Sequence, residues 1–192
     1  MVDIHVRCSW CGKDKAYQNY HDLEWGVPCR DDKKLFEFLI LESAQAGLSW
    51  LTILRKRDNY RLAFANFDVK AVSTFDDQDK QRLMQDAGIV RNRLKIESAI
   101  TNAQCFLKVQ KEAGSFSQYL WSYFSDKPIV NRWLNEDQIP VSTPISQKIS
   151  KDMKRRGFKF FGATTCYAYL QAMGLVNDHV LDCFRHPSQI KR

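Results

Sequence analysis

The feature that most constrains the fold is a succession of helix-period segments, most of them closed by a glycine. "DDKKLFEFLILESAQAG" opens on acidic residues and stops at Gly47. "SWLTILRKRDNYRLAFANF" follows, with Ser49 as N-cap and apolar residues at helical spacing. "DDQDKQRLMQDAG" and "RNRLKIESAITNAQCFLKVQKEAG" each end at a glycine, the residue that most easily adopts the left-handed backbone of a helix C-terminus. "SFSQYLWSYF" predicts a shorter helix. "STPISQKISKDMKRRG" carries a cap, an early proline and a basic last turn, and "ATTCYAYLQAMG" is the final helical stretch. No segment alternates convincingly over more than a few residues, so the expected fold is an all-α globule. The polar, proline-bearing connection "SDKPIVNRWLNEDQIPVSTP" is its natural break. The 192 residues suit a single domain spanning 1–192, or two lobes sharing a core with both chain ends in one lobe.

A hydrophobic fraction of 44% and a charged fraction of 27% are those of a soluble globular chain able to bury a core without staples. No apolar run approaches the roughly 18 residues needed to span a bilayer, so no membrane partner is expected. The N-terminal "MVDIHVRCSWC" lacks the apolar stretch of a signal peptide, which places the expected location in the cytoplasm. The balance of 29 Lys+Arg against 22 Asp+Glu gives a net charge of +7. Clusters in "KDMKRRGFKF" and "RNRLK" point to a polyanion partner. A monomer is the expected state.

Six cysteines in a chain without a secretory signal argue against a disulfide framework. Cys105 and Cys166 sit in apolar helical runs and read as core. The others lie near the two ends. In "NDHVLDC", His179 and Cys183 are four apart, on one face if the segment is helical. Two ligands do not close a zinc site, and the N-terminal region offers His5, Cys8, Cys11 and His21. Spacing leaves two sets open: the "CSWC" pair with His179 and Cys183, or one of those cysteines with His21. Scattered cysteines and core histidines are as compatible with the spacing as either.

"RRGFKFFGATTCYAYLQAMGLVNDHV" reads as one unit. A basic helix ends at Gly157, a short turn carries Lys159 to Gly162, and Thr164 and Thr165 open the next helix. Two glycines about five apart let a backbone approach a phosphate and aim N–H groups at it, the logic of a helix-hairpin-helix anchor. An ordinary helical turn has the same glycines, and the residues beyond the hairpin distinguish the two.

Taken in order, "RCSW", "YHDLEWGVP", "LFEFLILESAQAGLSWLTIL", "DAGIVRNR", "RRGFKFFG" and "MGLVNDHVLDC" resemble the bacterial 3-methyladenine DNA glycosylase I family, and they run from Arg7 to Cys183. The resemblance implies an all-α, helix-hairpin-helix DNA glycosylase-like fold with a structural zinc joining the N- and C-terminal segments. It assigns Cys8, His21, His179 and Cys183 to that Zn2+, leaving Cys11 as an extra nearby thiol and His5 on the surface. The implied substrate is N3-methyladenine in double-stranded DNA, removed by hydrolysis of the N-glycosidic bond without strand cleavage. Free 3-methyladenine is the product. Gly157, Lys159, Gly162 and Thr164 would hold DNA phosphates. Asn177 stands where the superfamily carries a catalytic aspartate, although a one-residue shift would offer Asp178.

Such a base must be flipped out and read by stacking and edge hydrogen bonds. Trp10, Tyr17, Tyr20, Trp25 and Trp50 are the candidate base-binding rings, with Trp25 equally readable as core. Glu42 is the candidate catalytic residue: a carboxylate following the apolar run "LFEFLIL" with no evident helical Lys or Arg partner needs a reason. Gln45 and Ser49 are candidate secondary lining, and Ser43 stands where glycine or alanine is expected. Two rival readings are a non-catalytic zinc-stabilised helix-hairpin-helix nucleic-acid-binding module and a hydrolase whose metal activates water. Four protein ligands leave no open position for the second.

Overall fold

The computed structural model describes residues 5–189, which form nine α-helices: α1 (Lys15–Leu23), α2 (Asp32–Gln45), α3 (Trp50–Ala63), α4 (Val69–Ser73), α5 (Asp77–Gln85), α6 (Arg93–Ala113), α7 (Phe116–Ser122), α8 (Pro144–Arg155) and α9 (Ala163–Ala172). The expected cap chemistry is in place. Ser49 accepts from the Thr52 amide at the start of α3, and α8 opens on a capping box of Thr143 and Ser146 with proline in its first turn. Two helices lie outside the predicted segments. α1 is capped by Asp14, which accepts from the Tyr17 amide, and the short α4 is capped by Asp68.

The all-α fold holds, with α2 at its centre. From Leu35 to Ala44 every residue of α2 is buried, so it is covered on all sides rather than amphipathic. Phe36 and Phe38 are fully enclosed, each contributing about 1.5–3 kcal/mol relative to exposure. α3, α6, α7 and α9 pack around it. Polar ties fix its N-terminal half: the Asp32 carboxylate accepts from the Phe116 and Ser117 amides and from Gln110 Nε2, and the Tyr169 hydroxyl donates to the Leu35 carbonyl. Among the described residues no helix is long and apolar enough to cross a membrane.

The "NDHVLDC" segment is not a helix. The chain leaves α9 through Gly174, whose φ of +65° and whose contact with the Val27–Pro28 backbone leave no room for a Cβ, which would sit 2.2 Å from the Val27 carbonyl carbon. It then runs extended as β2 (Val176–Asn177), parallel to β1 (Ile129–Val130). Ile129 and Asn131 donate backbone bonds to Leu175 and Asn177 at 2.9 and 3.1 Å. These ties hold the segment extended before it turns, and two-residue strands are too short to alternate. The connection read as a break supplies β1, so it is part of the structure that carries the C-terminal ligands.

Candidate metal centre and base-binding cavity

The hairpin joins α8 to α9. Gly157 has φ +99°, and its Cα passes so close to α6 that an added Cβ would lie 3.2 Å from Cys105 Sγ. Asn102 of α6 grips the turn with both halves of its amide: Nδ2 donates to the Lys159 carbonyl at 3.1 Å and Oδ1 accepts from the Lys159 amide at 2.8 Å. The Lys159 side chain is left exposed, as are Gly162 and Thr164. Gly162 is the N-cap of α9 and brings no side chain to its first amides, so those N–H groups lack a side-chain cap at the positive end of a ten-residue helix.

Both ends of the chain meet in one cluster. Cys8, His21, His179 and Cys183 are buried, with their ligand atoms all within 4.8 Å of one another. Cys183 Sγ lies 3.4 Å from His21 Nε2 and from His179 Nδ1, and Cys8 Sγ lies 3.6 Å from His179 Nδ1. Ligands at about 2.3 Å (S) and 2.0–2.1 Å (N) around a tetrahedral ion would be roughly 3.5 Å apart, so the donor set fits a metal of that size. The outer nitrogens are oriented as such a site requires: His21 Nδ1 meets Asp22 Oδ1 at 2.8 Å, and His179 Nε2 meets the Trp25 carbonyl at 3.1 Å. Asp22 is itself held by Arg7. With the two thiols side by side, Cys8 is pushed up as it donates to Cys183, and Cys183 is drawn down as it accepts. Cys11 is buried but outside the cluster, its thiol donating to the Cys8 carbonyl at 3.1 Å. His5 is exposed and packs at a tilt against Phe184, with ring centroids 4.4 Å apart.

Beside this clasp is a cavity of about 260 Å³. Trp10, Tyr17, Tyr20, Trp25 and Trp50 all line it, with Glu42 and Gln45 on α2. The rings support one another: Trp10 is 5.0 Å from Tyr17 and from Trp25, and Tyr20 is 5.3 Å from Trp50. Trp25 is therefore core and lining at once, 8% exposed, with its edge against His179. Trp50 Nε1 is buried without a hydrogen-bond partner.

Glu42 is 4% exposed, and among the described residues no group donates to its carboxylate. Burial alone pushes its carboxyl up to about 8. The contrast with Glu37, one and a half turns earlier, is informative. Glu37 accepts from Arg57 at 2.6 Å and from Arg61 at 2.8 Å, and Arg57 also holds Glu24 through both its amino groups. The buried cation near the cavity is thus already paired, and Glu42 faces the aromatic walls alone.

Sequence reasoning missed four lining residues: Glu136, Ile139, Ala168 and Gln171. Ala168 and Gln171 sit on α9, and the other two come from the long connection after β1. Ser49 is spent on capping α3, bonding to Thr52, and Ser43 donates to the Leu39 carbonyl at 2.7 Å; neither lines the cavity. Neither residue at the aspartate position offers it a free carboxylate. The Asn177 side chain accepts from the His179 amide, and Asp178 is fully buried among four donors.

A sequence model of the methyladenine glycosylase family matches residues 10–186. The DNA-3-methyladenine glycosylase 1 of Escherichia coli (strain K12) is 48% identical over 181 residues, covering 94% of this chain and 97% of that protein. A crystal structure of a 3-methyladenine DNA glycosylase I superposes with a TM-score of 0.92 at 47% identity, over 95% of this chain and all of the other. A Staphylococcus aureus 3-methyladenine DNA glycosylase I, solved for its recognition of 3-methyladenine, gives 0.91 at 42% identity over 97% of both.

Proposed function

We infer, for a chain that belongs to the methyladenine glycosylase family, that it is a monofunctional base-excision-repair enzyme that hydrolyses the N-glycosidic bond of N3-methyladenine in alkylated DNA. The observation that carries this reading is Glu42, a buried carboxyl without a partner in an aromatic cavity. A non-catalytic module would use the clasp and the hairpin but has no need of either feature.

Methylation at N3 makes the attached base a cation, which leaves as a neutral molecule. Protonation of the leaving group is then unnecessary, in keeping with Asn177 at the aspartate position. The flipped base is stacked among the five rings, where a desolvated cation gains ~1–2 kcal/mol per good face. It brings Glu42 the opposite charge the protein withholds. In that company the carboxyl ionises, accepts from the exocyclic amine, and stabilises positive charge as it shifts toward the sugar. Backbone amides at the start of α9, with Lys159 and Thr164, hold the phosphates of the double-stranded substrate.

The four-ligand cluster takes zinc, the metal that two thiolates and two imidazoles favour, and its role is structural because four protein ligands close the coordination shell. Within it Cys8, His21, His179 and Cys183 fix the segment carrying Trp10, Tyr17, Tyr20 and Trp25 against the C-terminus. Duplex DNA methylated at adenine N3 tests the whole reading. Release of free 3-methyladenine with the strand intact is expected. Tight binding of that DNA without release would leave only the non-catalytic module.

A further inference from the structure

Asp178 has no access to the cavity, yet it is among the most heavily bonded side chains near it. Its Oδ1 accepts from Asn131 Nδ2 at 2.7 Å and from Trp133 Nε1 at 2.8 Å. Its Oδ2 accepts from the Tyr167 hydroxyl at 2.5 Å and from Gln171 Nε2 at 2.7 Å. The last bond matters because Gln171 lines the cavity. A glutamine amide normally turns over freely to offer either a donor or an acceptor. Here it cannot. A carboxylate oxygen accepts only, so the amino half must face Asp178, and the amide oxygen is the half left for another partner. That oxygen is not among the buried atoms lacking a partner, and none of the described residues donates to it, so it is open to a ligand.

We propose that Gln171 is a specificity-determining residue: a fixed acceptor, held in one orientation by Asp178, that favours a flipped base presenting an amine over one presenting a carbonyl. Glu42, which lines the same cavity, cannot do this. A carboxyl such as Glu42 reverses its polarity by gaining or losing a proton, so it can pair with a 6-amino or a 6-oxo purine. Gln171 has no such freedom while the Asp178 carboxylate, filled by its other donors, holds its amino group. The N–H donors of an alkylated adenine all belong to its exocyclic amine. An alkylated guanine seated the same way sets a carbonyl oxygen against the Gln171 oxygen. A buried acceptor facing an acceptor leaves both unpaired, a strong basis for rejection. Asp178 is then a positioning residue, acting through Gln171.

The inference rests on the glycosylase reading, and the test separates the two. Free 3-methyladenine and free 3-methylguanine are titrated into zinc-loaded protein and the ratio of their dissociation constants is taken. The unaltered chain is expected to prefer the adenine. Gln171→Met, which keeps the length but removes the acceptor, is expected to lower that preference about tenfold. Asp178→Asn, which offers an amino group and lets the Gln171 amide turn over, is expected to lower it similarly. Tyr167→Phe removes a different donor from the same carboxylate and is expected to leave the ratio unchanged. An unaltered ratio in folded Gln171→Met overturns this inference alone. A shift in Tyr167→Phe as large as that in Asp178→Asn overturns the action through Gln171. Failure of the unaltered chain to bind either base overturns the glycosylase reading and this inference with it.

Discussion

Replacing Glu42 by glutamine should stabilise the protein, and by an amount that depends on pH. The native carboxyl titrates near 8, whereas an unfolded one titrates near 4.5. Below pH 4.5 both states hold the proton and the residue is neutral in the balance. Between 4.5 and 8 the unfolded chain has released a proton that the native state retains, so native stability falls as pH rises, by about 1.4 kcal/mol per pH unit. The loss reaches about 3 kcal/mol at pH 7 and levels off near ~5 kcal/mol above pH 8. Glutamine resembles the protonated acid and carries no such dependence. The stability gap between Glu42→Gln and the unaltered chain should therefore widen by about 3 kcal/mol between pH 5.5 and 8.5. With a urea dependence of ~2–3 kcal/mol per molar, the midpoints should separate by about a further 1 M across that range. Urea unfolding of both zinc-loaded proteins at several pH values measures this directly. A gap that stays flat with pH would refute the reasoning, because it would mean the native carboxylate already has a partner.

Three further outcomes are expected from the same structure. Stripping the metal with a chelator should lower the thermal midpoint and loosen residues near Cys8 and Cys183, with activity falling only as the fold does; a folded but inactive apoprotein would return the metal to catalysis. Lys159→Ala should weaken DNA binding alike for methylated and unmethylated duplex and reduce the slope of log K against log salt by about 1, measured by fluorescence anisotropy. Gly174→Ala should cost more than ~3 kcal/mol in chemical denaturation, since the backbone of Val27 and Pro28 occupies the space and the φ is left-handed.

Much of the architecture was legible because the helices announce their own ends. Ser49, Thr143 with Pro144, and Gly114 are local signals, and each marks a terminus in the structure. α1 escaped because its nine residues, "KAYQNYHDL", are mostly polar and aromatic, and the apolar stripe is short. The β1–β2 pair escaped because two residues cannot show a period. The form of "NDHVLDC" depends on Gly174 and on backbone bonds to a segment about 45 residues earlier, which no local window contains. The site divides in the same way. The rings, Glu42 and the four ligands were legible through resemblance, and the fold gathers the rings and Glu42 around one cavity and the ligands into one cluster. Gln171 and Glu136 were not, since only packing brings them to the wall. One signal was available for Gln171: it lies four residues after Tyr167, on the same helical face, and both donate to Asp178.

The central claim is that an alkylated adenine occupies the aromatic cavity and meets the unpaired carboxyl there. Calorimetric titration of free 3-methyladenine into the unaltered chain and into Glu42→Gln tests it most directly. Binding by the first, weakened at least tenfold in the second despite its greater stability, is the predicted result. Equal binding by the two proteins would contradict it.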